Sequence, residues 1–284
     1  MTSPGPDERF WLIELIAYWE GRVTARHLCS RFNLSRQQAS KIINKYKSTY
    51  PDNLTYSLTR KGYLPSGSFS AHHISGDATE YLHWVTSPNA IANKEKGASG
   101  TRTAPVPHVS LELPPRQVSP ELMRGLVTAM REQRRIDVDY VSLTNPNREG
   151  RVIAPHTFIN TGLRWHLRAW CEKSNEYRDF VLSRFRGNPE LLEKSPHTAE
   201  NDEAWNIPLT LIFEPDSRFD PAKRDVLIHD YNMQNGQLRI TTRAALAQYL
   251  IHEMQVNTKF HAEKPEAQQL VLVNKDDIKG WLFE

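Results

Sequence analysis

The stretch that most constrains the fold is TARHLCSRFNLSRQQASKII, residues 24–43. Thr24 is a suitable N-cap for a short helix, ARHLCSRF, in which Leu28 and Phe32 stand at i and i+4. Asn33 and Leu34 form a turn, and Ser35 caps a further helix running to about Ser48, where Pro51 and Asn53 stop it. Cys29 supplies the small side chain that two steeply crossing helices need at their contact, and Ala39 with Ile42 or Ile43 faces back toward it. Upstream, Phe10, Ile13, Ile16 and Trp19 recur at helical spacing, widened by Leu12 and Leu15, until Gly21 breaks the run. Downstream, Leu54 to Leu64 reads as two short strands joined at Thr59-Arg60-Lys61-Gly62. Three helices followed by a basic hairpin describe a winged helix-turn-helix over residues 1–65.

The outward face of the third helix carries Gln37, Ser40, Lys41 and Asn44, at i, i+3, i+4 and i+7. Such amides, hydroxyls and amines read base edges in the major groove, whereas Arg36, Lys45 and Lys47 suit phosphates. Ser35 and Gln38 complete the set in the first turn, and Arg60 and Lys61 at the hairpin tip would reach the neighbouring backbone or minor groove. The plainer alternative is a helical hairpin with a solvated polar face, but caps, turn, small residue and basic hairpin all agree on the first reading.

Charge distribution points the same way. Residues 1–65 hold ten lysines and arginines against five acidic residues, and residues 66–188 hold sixteen against twelve. Residues 189–284 reverse the balance, ten against sixteen. A basic front end and an acidic back end suit polyanion binding at one and protein contact at the other. Cys29 and Cys171 are far apart with no metal-type spacing, no apolar run approaches 18 residues, and MTSPGPDERFW lacks a secretory signal. A cytoplasmic protein with no membrane partner is expected.

Residues 66–132 read as connecting helices around an exposed loop at 87–107, with a short strand at 109–113. From Arg135, IDVDYVS, REGRVIAPHTFI, LRWHLRAWC and RDFVLSRF are strands of a small barrel or strongly bent sheet over 133–188. Residues 134–186 contain nine arginines and one lysine against six acidic residues. Alternation puts Arg164, His166 and Arg168 on one side of their strand, Arg178 and Arg184 with Phe180 and Leu182 on one side of the next, and Tyr140 and Ser142 together at the end of the first. A basic, partly aromatic face suits a nucleotide or nucleic-acid ligand, since guanidinium forks bind phosphate and rings stack on bases. The competing reading pairs these arginines with Asp139, Glu172 and Asp179. Residues 189–284 mix strands and helices in an α/β extension, so the class is α+β, multidomain.

Several of these elements together resemble the WYL-domain transcriptional regulators. Trp165-His166-Leu167 sits where that family carries Trp-Tyr-Leu, after the step from Arg151 through Ile153 to Pro155 and His156, and DFVLSRF resembles the family's closing segment. Trp-His-Leu and the text from Ile207 to Ile251 are similar to the branch encoded in bacterial phage-defence islands, such as BREX and CBASS systems. The resemblance implies a homodimeric repressor, paired through residues 189–284, on an inverted-repeat operator, released by a ligand on the WYL domain. By position it implies a ligand face of Tyr140, Ser142, His156, Arg164, His166, Arg168 and Arg184, to which alternation adds Arg178. Histidine at 166 in place of tyrosine introduces a group able to change charge near neutral pH.

Nothing in the text favours an enzyme: G-x-S-x-G, P-loop, G-x-G-x-x-G and H-E-x-x-H are all missing. His156 and His166 lack the cysteine and carboxylate company of a metal site, so no cofactor is expected. Asp137 and Asp139 on one strand face are weak grounds for a nucleic-acid-processing enzyme. A constitutive second nucleic-acid contact by the barrel, without sensing, stays open.

Overall fold

The computed structural model describes residues 6–87, 106–111, 113–144, 146–260 and 262–282. The chain divides into two compact units, Met1–Glu112 and Leu113–Glu284.

In the first unit, α1 (Pro6–Glu20), α2 (Ala25–Phe32) and α3 (Arg36–Thr49) precede a hairpin of β1 (Leu54–Ser57) and β2 (Gly62–Pro65). Val23 bridges to Tyr63, so the link between α1 and α2 adds a third short strand to the wing. Asn33 closes α2 in the left-handed region at φ 51°, where asparagine is tolerated better than most side chains. Phe10, Ile13, Ile16, Leu28, Ala39, Ile43 and Tyr46 form the core. Within it lies a fully buried carboxylate, Glu14, which accepts from the Tyr46 hydroxyl (2.9 Å) and the backbone amides of His72 (2.9 Å) and His73 (2.7 Å). It ties the segment after the wing back onto α1. α4 (Ala78–Thr86) follows on the same helix, with Tyr81 donating to Glu20 (3.1 Å).

The expected loop at 87–107 lies largely outside the described residues. The strand expected at 109–113 does not form in the described part: Val109 and Leu111 are almost wholly exposed, with no partner strand to hide an apolar face.

The second unit opens with α5 (Pro120–Glu132), then β3 (Arg134–Tyr140), β4 (Glu149–Asn160), β5 (Trp165–Cys171), β6 (Glu176–Val181) and β7 (Phe185–Lys194). These make one antiparallel sheet in the order β6-β5-β4-β3-β7. β6 and β7 are its opposite edges and do not pair, so the expected barrel is an open sheet. A bulge between Pro155 and Thr157 bends the long β4. α5 covers one face, packing Leu122, Leu126 and Ala129 on Ile136, Ile153 and Leu167. Gly125 permits that approach: a Cβ there would lie 2.7 Å from Pro189 Cγ. The chain continues through α6 (Glu203–Asn206), β8 (Pro208–Pro215), α7 (Pro221–Asp230), β9 (Leu238–Arg243), α8 (Ala244–Glu253), β10 (Leu270–Leu272) and α9 (Lys275–Ile278), with a second sheet ordered β10-β8-β9. Leu211, Phe213, Ala247 and Ile251 are its core. The whole is an α+β chain.

Candidate functional sites

On α3, burial follows the helical repeat. Ala39, Ile43 and Tyr46 are buried, while Arg36, Gln37, Ser40, Lys41, Asn44 and Lys45 are exposed along one continuous surface. Ser35 and Gln38 are also exposed, but they hold the helix start. Ser35 Oγ accepts from the Gln38 amide (3.2 Å), and Gln38 Oε1 accepts from the Ser35 amide (2.9 Å). Those two side chains orient the helix rather than extend from it. Lys47 lies over the Tyr63 ring (5.2 Å), tying the helix to the wing. Arg60 and Lys61 stand exposed at the wing tip, Lys61 at φ 48°.

The five-stranded sheet departs further from expectation. Tyr140 is a core residue, packed edge-on against Phe180 and Phe185, with its hydroxyl accepting from the Val181 amide (3.0 Å). Arg178 pairs across the sheet with Ala169, whereas Arg168 pairs with Asp179. Arg178 therefore rises on the core side at the sheet rim, away from Arg168, and meets Glu176 instead (3.5 Å). Alternation reveals parity but not which parity faces the core. Ser142 lies past the end of β3 and hydrogen-bonds Thr144 (3.1 Å).

His156 and Arg168 are on the outer face, but that face is covered. Asp202, 1% exposed, accepts from Arg168 Nε (2.6 Å) and Nη2 (3.0 Å), from His156 Nε2 (3.1 Å) and from the Trp205 amide (3.2 Å). Arg168 Nη1 reaches Asp179 (3.2 Å), which also accepts from the Tyr249 hydroxyl of α8 (3.0 Å). Burial pushes the Asp202 carboxyl up, but the hydrogen bonds from His156 and Arg168 outweigh it and hold it down at about 2. Trp170 stacks on His197 at 3.9 Å beside this network. His156 and Arg168 thus fasten the five-stranded sheet to the following segment instead of facing a ligand. Asp202 escaped sequence reasoning because it lies outside the arginine-rich window.

What stays together is smaller. His166, 5% exposed, lies against Tyr249 (ring centroids 4.9 Å apart), and its Nδ1 has no hydrogen-bond partner. Burial, then the charges of Arg164, Arg184 and Arg116, lowers its pKa to about 4, so the ring is neutral at pH 7. That removes the expected charge change near neutrality. Among the described residues none of the three arginines forms an ion pair. Arg116, in the Pro-flanked stretch before α5, was not anticipated; nothing in its local sequence marks it.

The fold and these surfaces define a winged helix-turn-helix WYL-domain transcriptional regulator. Residues 6–87 match the BrxR transcriptional regulator winged helix-turn-helix domain, 121–188 the WYL domain, and 208–278 the BrxR transcriptional regulator C-terminal dimerization domain. The chain is 30% identical over 278 residues to the DNA-binding transcriptional repressor CapW of Escherichia coli (strain KTE188), covering 98% of this chain and 92% of that one. CapW of Pseudomonas aeruginosa is 29% identical (97% and 91% covered), and CapW of Stenotrophomonas maltophilia 27% (99% and 93%). The chain belongs to this BrxR/CapW family of regulators. Proteasome accessory factor B/C (PafBC) of Arthrobacter aurescens matches at 15% identity and a TM-score of 0.31, over 97% of this chain and 45% of that one.

Proposed function

We propose that this chain is a homodimeric repressor of a phage-defence operon. α3 enters successive major grooves of an inverted repeat, and an anionic ligand at Arg116, Arg164, Arg184 and His166 releases it. The observation that carries the DNA reading is the unbroken exposed face of α3, anchored by a doubly satisfied cap and a buried opposite face. Its family relatives are named as DNA-binding repressors, and the matched C-terminal model is a dimerization domain. A single winged helix covers one half-site, so pairing supplies the specificity one module lacks.

The sensor reading rests on three arginines without carboxylate partners around a neutral imidazole whose Nδ1 has no hydrogen-bond partner. Like charges held together carry a standing cost that a phosphate relieves. A nucleotide or a nucleic-acid end has that chemistry. Arg164→Ala and Arg184→Ala test the site, since Arg168 is committed to folding. With sensing, the variants bind operator as wild type does but lose binding of a fluorescent 5′-phosphorylated tetranucleotide. Weaker operator binding with a shallower salt dependence would instead make this face a second DNA contact.

A further inference from the structure

Beside the wing tip lies a second feature, apart from the recognition helix. Glu20, Arg22, His27, Thr59, Arg60 and Lys61 line a cavity of about 500 Å³ between the start of α2 and the wing tip. Three of its six residues are cations, and only Glu20 is acidic.

Three of the wall residues are held in place. Arg22 lies flat across the wing, with Nη1 donating to the Arg60 carbonyl (2.7 Å). Gly62 makes that path available, because a Cβ there would stand 2.8 Å from Arg22 Cγ and 3.1 Å from Thr24 Cγ2. Among the described residues Arg22 forms no contact ion pair with Glu20, although its charge acts through space to offset part of the rise that burial imposes on that carboxyl. Glu20 is occupied by the Tyr81 hydroxyl (3.1 Å).

His27 is the informative residue. It occupies the third position of α2, where a capping box ordinarily has glutamate or glutamine, and its Nδ1 accepts from the Thr24 amide (3.1 Å). With Nδ1 accepting, the ring proton of a neutral imidazole is on Nε2. Burial, then Arg22 and Arg26, keeps the ring neutral at pH 7 by lowering its pKa to about 4. Glutamate would cap the helix as well but would set a second carboxylate in the cavity. Histidine caps it while leaving an N–H donor.

We propose that this cavity seats one phosphate of the DNA backbone, with Arg22, Arg60 and Lys61 as cationic walls and His27 Nε2–H as a donor. The contact carries no sequence information; it sets the register of the wing against the duplex and so the depth at which α3 enters the groove. The inference rests on the DNA-binding reading above and adds Arg22 and His27 to the interface.

The test is binding of the full chain to a duplex from upstream of its own gene, followed over a salt series, with inorganic phosphate as a separate titrant. Arg22→Gln should weaken binding by about tenfold or less at 150 mM salt and reduce the slope of log K against log salt by about 0.9, one phosphate contact. His27→Glu, which keeps the cap, should weaken binding at least as much while melting at the wild-type temperature. His27→Gln, capped and uncharged, should stay within a few-fold of wild type. Inorganic phosphate at millimolar concentration should not displace the duplex; displacement by it, lost in Arg22→Gln, would mean a free-phosphate site and overturn the proposal. Wild-type affinity and slope in both Arg22→Gln and His27→Glu would also overturn it. Failure of the wild-type chain to bind the duplex would instead refute the DNA-binding reading itself.

Discussion

Replacing Asp202 by alanine should destabilise the second unit by about 3–5 kcal/mol, because it strands a buried guanidinium. Asp202 accepts four hydrogen bonds, two of them from Arg168, and Arg168 retains only Asp179 once the carboxylate is gone. Asparagine keeps the shape and the cap on the Trp205 amide but not the charge, so Asp202→Asn should cost about half as much. Arg168→Met with Asp202→Asn removes the pair's two charges together and should cost less than the two single losses summed, although Asp179 then loses its guanidinium partner. At about 2–4 °C per kcal/mol for a unit of this size, Asp202→Ala lowers the melting transition by roughly 6–20 °C. The acid limb offers a second readout. A carboxyl held at about 2 and rising to 3.8 on unfolding contributes about 2 kcal/mol above pH 4, lost as pH falls through 2. Asp179 acts oppositely: burial raises its pKa, so its ionisation at higher pH opposes folding. Scanning calorimetry and urea melts of the full chain at pH 7 decide the matter. An Asp202→Ala transition within 1 kcal/mol of wild type would refute the claim that this network fastens the WYL sheet.

The buried His166 carries a pH signature, since a ring at about 4 in the fold and 6.5 unfolded penalises folding as pH falls between those values. The wild type should lose about 3 kcal/mol over that window relative to His166→Gln in pH-dependent urea melts, and parallel curves would contradict it. Tyr140→Phe leaves the Val181 amide without its acceptor and should cost about 1–2 kcal/mol, measured by urea melts, with tetranucleotide binding unchanged. Gly125→Ala forces a methyl 2.7 Å from Pro189 and should cost about 1–3 kcal/mol, partly recovered when Pro189→Ala is added, as thermal melts would show.

The parts of the fold that were legible from the amino-acid text are those with local causes. Thr24, Asn33 and Ser35 act through neighbours three or four residues away, so the two helices and their turn could be read directly. The wing was legible for the same reason. Long-range choices were not. Whether β6 turns Arg178 or Asp179 toward the core depends on its register with β5, which no residue of β6 encodes alone. His156 and Arg168 were both claimed by Asp202, 46 and 34 positions later. Glu14 shows the same limit: it satisfies two backbone amides some 58 residues away, which nothing in its own helix announces. The proposed sensor cluster was half legible, since Arg164 and Arg184 lie in the alternating stretches, just outside the strands themselves, and Arg116 in an unpatterned one.

The central claim is that α3 reads DNA sequence, and fluorescence anisotropy tests it most directly. A duplex from upstream of the protein's own gene is compared with an unrelated duplex of equal length across a salt series. The account predicts preferential binding to the first, affinity falling steeply with salt, and loss of that preference in Gln37→Ala with Asn44→Ala while weaker nonspecific binding persists. Equal binding of both duplexes by the wild type, or a double variant that discriminates as well as the wild type, would contradict it.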